Sequence, residues 1–109
     1  MTLYHGTRSA LTLHAGLCLA NREASAAAYG RDVHTLTLDA SALTVREMAI
    51  TQDMIDAQDF PADTAAEVAS LVAEGVDAIA YDDMDPNGGT HRTIRLLSAR
   101  ALAAVSVSA

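Results

Sequence analysis

Apolar and polar positions fall along the 109-residue chain in short runs, and the period of each run predicts an element. Thr2–His5 reads as a strand stopped by Gly6, and Leu17-Cys18-Leu19-Ala20, after Gly16, as a second. Asn21 has the side chain of a helix N-cap, Glu23 falls in the first turn, and an alanine-rich run carries the helix to Gly30, the expected left-handed C-cap. Val33–Leu38 alternates Val-His-Thr-Leu-Thr-Leu, a strand with one polar face. Residues 41–61 are less regular: Leu43, Val45, Met48 and Ile50 suggest a strand or a short strand-helix piece, followed by an acidic link. Pro61 or Asp63 opens a helix whose stripe is Ala65, Val68, Ala69, Leu71 and Val72, closed by Gly75. Val76–Tyr81 is then a buried strand, Asp85–Gly89 a turn, Thr93–Leu97 a strand and Leu102–Val107 a last one. This order predicts a single α+β domain over residues 1–109, with an antiparallel or mixed sheet.

Composition narrows the picture. Half of the chain is apolar but only 4% is aromatic, so the core is built from Ala, Val, Leu and Ile. No apolar run approaches the ~20 residues of a membrane span, and the N-terminus lacks the pattern of a signal peptide. The single cysteine, Cys18, excludes an internal disulfide and fits a reducing compartment, so a cytoplasmic location is expected. Net charge is −7, and all seven cations are arginines. Residues 1–46 carry +1, residues 47–91 carry −11 with no arginine, and residues 92–109 carry +3. The acidic belt disfavours a nucleic-acid partner and favours a basic protein; if the two ends meet, an anionic ligand would fit between them.

Four features carry candidate chemistry. Tyr4-His5-Gly6-Thr7 sets an imidazole beside open backbone at a strand end. Tyr29, in Ala26-Ala27-Ala28-Tyr29-Gly30, has only small neighbours and so offers a free ring face. Gly75–Tyr81 is a helix-to-strand passage. His91, Arg92, Thr93 and Arg95 project polar groups from the last hairpin, where an edge strand with a solvent-facing Arg and Thr is the plain structural reading. The four histidines, His5, His14, His34 and His91, match no ligand spacing, so no metal is expected.

Taken in order, Leu3–Thr7, Gly16–Gly30, Gly75–Tyr81 and the glycine turn with its following strand resemble the ADP-ribosyltransferase fold, in the branch with a His-Tyr-Glu signature. The resemblance spans about residues 3–105, with 41–70 matching in outline. It implies split antiparallel or mixed β-sheets around an NAD cleft, with two or three short helices. By the same likeness His5 would hydrogen-bond a ribose hydroxyl, Gly6 would bond the nicotinamide amide through its backbone, Tyr29 would stack on the nicotinamide ring, and Thr7 would belong to the same cofactor site. Arg8, Arg22 or Arg31 is a candidate for the pyrophosphate, on charge alone. Where the family has its glutamate this chain has Thr93, or His91 if the turn is shorter, and no carboxylate occurs from residue 86 to 109. Asp82, Asp83 and Asp85 lie upstream, reachable only by a different loop path. Two functions follow as expectations: an NAD-dependent mono-ADP-ribosyltransferase of a protein target, acting as a phage or bacterial effector, or an inactive relative whose acidic residues 47–91 dock on a basic partner.

Overall fold

The computed structural model describes residues 1–108. Seven strands form one mixed sheet: β1 (Thr2–Thr7), β2 (Leu17–Ala20), β3 (Asp32–Leu38), β4 (Val45–Glu47), β5 (Ala78–Met84), β6 (Thr90–Leu96) and β7 (Val105–Val107), in the order β4-β5-β6-β2-β1-β3-β7. Only β4 and β5 run parallel. Four short helices complete the α+β domain: α1 (Glu23–Ala27), α2 (Gln52–Ala57), α3 (Ala65–Ala73) and α4 (Ala99–Ala103). None of these helices is long and apolar enough to cross a membrane.

The sheet is continuous, but its two halves join through one residue pair, Tyr4 opposite Ala20. On one side β2, β6 and β5 pair along their lengths, and on the other β1 and β3 pair over six residues. Because side chains alternate across a strand, the register assigns each residue a face. Leu17 and Ala78 lie opposite Leu96, and Leu19 and Ala80 opposite Ile94. That face, with Leu3, Leu36, Leu38 and Ala101, forms the main core. The opposite face carries Cys18 and Ile79 opposite Arg95, Ala20 and Tyr81 opposite Thr93, and Asp83 opposite His91. There Ile79 and Tyr81 pack with Ala62, Val76 and Leu97, and Val68 and Leu71 of α3 cover them.

Several local expectations are corrected, some by tertiary pairing and some by caps the chain itself supplies. Gly6 does not stop the first strand, which runs on to Thr7. Asn21 does not cap α1; Arg22 holds that position without a capping bond. Instead Asn21 extends the sheet, donating its N–H to the Arg92 carbonyl (3.0 Å) and accepting the Arg92 N–H on its side chain (2.9 Å). Gly30 is not left-handed. It is small because a Cβ there would meet the Thr7 backbone at 2.5 Å. Helix α2 replaces the acidic link: Thr51 caps it by accepting the Met54 N–H (3.2 Å), and it ends on Gln58 with φ +53°, a terminus without the usual glycine signal. Helix α3 is opened by Thr64, not by Pro61 or Asp63. The Thr64 hydroxyl accepts the Glu67 N–H, and the Glu67 carboxylate returns to the Asp63 N–H. Gly75, with φ +89°, closes it as expected. The proposed last strand is half helix, because Ser98 caps α4 through the Ala101 N–H (3.1 Å).

Asp77 ties three of these elements together. Its carboxylate accepts the Thr44 N–H (2.9 Å) ahead of β4 and the Ser98 hydroxyl (2.7 Å) at the α4 cap. Those two bonds favour the ionised form and hold its pKa below the ordinary carboxylate range. A depressed folded-state pKa adds stability above the unfolded value and loses it as pH falls through the folded one. Asp77→Asn is therefore expected to melt lower than the wild type at neutral pH, with the gap narrowing below about pH 4. Thermal denaturation across that range checks it, and a gap that does not depend on pH would refute it.

Candidate functional site

The polar face of β2, β6 and β5 is the floor of a cavity of about 490 Å³, within the usual range of ~300–1,000 Å³ for small-molecule sites. Its walls are the end of β1, helix α1 with Tyr29, and the loop at Phe60 and Asp63. The chemistry-bearing side chains meet here by strand periodicity. His91, Thr93 and Arg95 alternate with Ile94 and Leu96 along β6, so the apolar residues point to the core and the polar ones to the cavity.

His5 stands where β1 and β2 diverge. Its Nδ1 lies 2.8 Å from the Cys18 carbonyl oxygen. A carbonyl only accepts, so Nδ1 carries the proton and Nε2 is left as the ring's acceptor. Gly6, also in the lining, lets α1 approach backbone to backbone: a Cβ there would sit 1.9 Å from the Ala26 carbonyl oxygen. Tyr29 then projects from the end of α1 over the cavity, 50% exposed. Its ring and that of His91 make a T-shaped contact, with centroids 6.5 Å apart and planes at 77°, and with half of Tyr29 exposed its ring has surface left for stacking. Desolvation, with the charges of Asp83 and Asp85, raises the Tyr29 pKa and keeps the phenol neutral.

Below Tyr29, His91 is buried and its Nε2 lies 3.0 Å from the Thr93 hydroxyl. The His91 Nδ1 is buried without a partner among the described residues. Directly across the ladder, Asp83 brings a carboxylate into the lining. Deeper in, the Cys18 Sγ lies 3.7 Å from the Gly16 carbonyl oxygen and 3.9 Å from the Tyr81 hydroxyl. Burial pushes the pKa of both groups up, so the thiol stays protonated and reads as packing. Arg95 donates Nε–H to the Gly16 carbonyl (2.9 Å) and Nη1–H to the Pro61 carbonyl (3.2 Å).

Of the expected site residues, His5, Gly6, Tyr29, His91 and Thr93 line this one cavity. Thr7 and Arg8 lie outside the lining; the Thr7 hydroxyl accepts the Ser9 N–H (3.1 Å), and Arg8 is exposed. Arg22 donates to the Thr90 carbonyl (2.7 Å) and Arg31 lies 3.9 Å from Asp32, so neither belongs to the lining. The hairpin strand is not an edge: β6 runs between β5 and β2. Arg95, named with the hairpin's polar groups but given no site role, lines the cavity too, and Asp83 enters it not by a different loop path but by its place opposite His91 in the ladder. The sequence signal for Arg95 is the polar series His91, Thr93, Arg95 alternating with Ile94 and Leu96 in β6, whereas Asp83, between exposed Asp82 and Met84, carries no such signal. The acidic belt is partly neutralised by the flanking segments. Arg92 bridges Glu47 and Asp82, and Arg46 lies 3.8 Å from Glu74. Among the described residues no group of three or more His, Cys, Asp or Glu is placed to share a metal ion.

The chain matches no protein-family model, no curated protein and no solved structure.

Proposed function

We propose that this protein is an enzyme that breaks the bond between nicotinamide and ribose in NAD. Within that class, the reading we favour is a mono-ADP-ribosyltransferase that passes the ribosyl group to a protein side chain. The observation that carries it is the convergence of a tautomer-fixed imidazole, an open phenol face and a carboxylate in one cavity. Each has a task in that reaction. The free Nε2 of His5 accepts a ribose hydroxyl, and the backbone at Gly6 meets the carboxamide. The ring of Tyr29 stacks on nicotinamide and excludes water from the breaking bond. As the bond lengthens, nicotinamide departs with the bonding pair and the ribose becomes cationic; the Asp83 carboxylate stabilises that charge. The acceptor on the target then bonds the anomeric carbon and gives up its proton, for which the His91–Thr93 pair provides a nearby acceptor. In this reading Asp83 supplies the negative charge absent from residues 86–109.

Nicotinamide release from NAD tests the proposal. Tyr29→Ala removes the stacking face and His5→Ala the ribose acceptor, and neither side chain is in the apolar core. Losing one such contact is worth about 1–3 kcal/mol, so each variant is expected to bind NAD ~5- to 150-fold more weakly while melting near the wild type. A wild-type protein that neither releases nicotinamide nor binds NAD in calorimetry would overturn the reading. Tight, salt-sensitive binding to a basic protein would then favour a non-enzymatic docking role.

A further inference from the structure

We infer that Arg95 is the phosphate-recognition residue of this cavity, so that the site selects nucleotides over nucleosides; this rests on the NAD reading of the same cavity and extends it. Of the seven arginines, Arg95 is the one in the lining. It is half-buried on the central strand β6, and none of the ion pairs among the described residues involves it. The two carboxylates of the lining, Asp63 and Asp83, make no hydrogen bond to it among the described residues. Its neighbours across the ladder are Cys18 and Ile79, neither of them charged at neutral pH. A half-buried cation to which the carboxylates of its cavity are not paired is incompletely compensated, and an anionic ligand completes the pairing.

The guanidinium is also held in advance. Two carbonyls from separate loops, Gly16 and Pro61, take two of its five N–H groups and orient the plane. Three N–H groups remain, one on Nη1 and two on Nη2, available to phosphate oxygens. Its place along the strand suits a nucleotide. Arg95 is four residues from His91, about 13 Å along the backbone, and His91 is the residue beneath the Tyr29 ring. A nicotinamide held at Tyr29 therefore has room for its ribose before the phosphate reaches Arg95.

Calorimetry with nicotinamide mononucleotide, nicotinamide riboside and inorganic pyrophosphate separates the possibilities. The wild type should bind the mononucleotide ~10- to 100-fold more tightly than the riboside, as expected for charge-assisted hydrogen bonds to a phosphate. Arg95→Gln should collapse that ratio and leave riboside affinity nearly unchanged, whereas a mere loop clamp would lose both ligands together. Arg95→Lys keeps the charge without the fork and should fall between. Salt should weaken mononucleotide binding more in the wild type than in Arg95→Gln. Where the glutamine variant does not fold, Arg95→Lys carries the test, and a mononucleotide-to-riboside ratio equal to that of the wild type overturns the inference. An unchanged ratio in Arg95→Gln, or equal loss of both ligands, overturns the inference. If neither nicotinamide ligand binds but pyrophosphate does, and only with Arg95 intact, the NAD reading falls and the anion site stands. If nothing binds, both fall.

Discussion

One methyl group added at Gly6 is expected to unseat helix α1. The Cβ of Gly6→Ala would lie 1.9 Å from the Ala26 carbonyl oxygen, 2.8 Å from its carbon and 3.0 Å from the Gly30 oxygen. All three are backbone atoms, so no side-chain rotation relieves the clash, and either β1 or α1 must move. Overpacking costs typically 1–3 kcal/mol, and a contact this short with rigid partners belongs at or above the top of that range. At roughly 4 °C per kcal/mol for a domain of this size, the melting temperature should drop by about 12 °C or more. The site goes with it, because α1 carries Ala26 into the cavity wall and places Tyr29 above it. Gly88→Ala is the contrasting variant. Its φ of +83° strains an alanine, but a Cβ there meets nothing within 4 Å, so the cost is about 1 kcal/mol. Thermal melts of the two variants check this, and a Gly6→Ala protein as stable as Gly88→Ala would mean that α1 does not press on β1.

Loss of one negative charge at Asp83 should slow turnover without weakening binding. Asp83→Asn keeps the shape of the side chain, so the strand and the cavity persist. On the proposed NAD reading, what disappears is the charged acceptor that would face the ribose as it becomes cationic. Exchanging a charged hydrogen bond for a neutral one forfeits about 1.5–3 kcal/mol, and each ~1.4 kcal/mol is tenfold in rate. A kcat reduced ~10- to 150-fold with little change in KM is the expected pattern. The neighbouring residue is the control. Asp82 alternates to the other side of β5, where its carboxylate is 90% exposed and lies 3.0 Å from Arg92. An exposed pair of this kind contributes ~0–1 kcal/mol, so Asp82→Asn should leave turnover intact. Equal activity of Asp83→Asn and the wild type would remove Asp83 from the chemistry.

The contrast between Asp82 and Asp83 shows why part of the site is legible in the sequence and part is not. His5 followed by Gly6, and Tyr29 among alanines, stand out because each depends on its immediate neighbours: a small residue permits close approach, and isolation leaves a ring face bare. The turn at Asp85–Gly89 and the stop at Gly75 are legible for the same reason, since they rest on backbone conformations available to glycine or on side chains that bond nearby backbone. Asp85 accepts the N–H groups of Asn87 (2.8 Å) and Gly89 (3.1 Å) within the turn itself. Asp83 and Arg95 give no such local sign. Whether a polar strand residue faces water or a cavity depends on which strands flank it and in what register, and those partners lie far along the chain: Cys18 for Arg95, and α1 above His91.

Thus the chain's own local chemistry determined the α+β class, most of the strands, the closing glycine of α3 and, as separate candidates, the strand-end imidazole of His5 and the phenol of Tyr29, whose pairing only the family resemblance implies. Tertiary structure alone decided that Asn21 joins the sheet instead of capping a helix and that β6 is a central strand. It also decided which charges enter the cavity. The reason is physical: caps, turns and alternation are governed by contacts within a few residues, whereas burial of a side chain is governed by surfaces that meet only when the sheet has assembled.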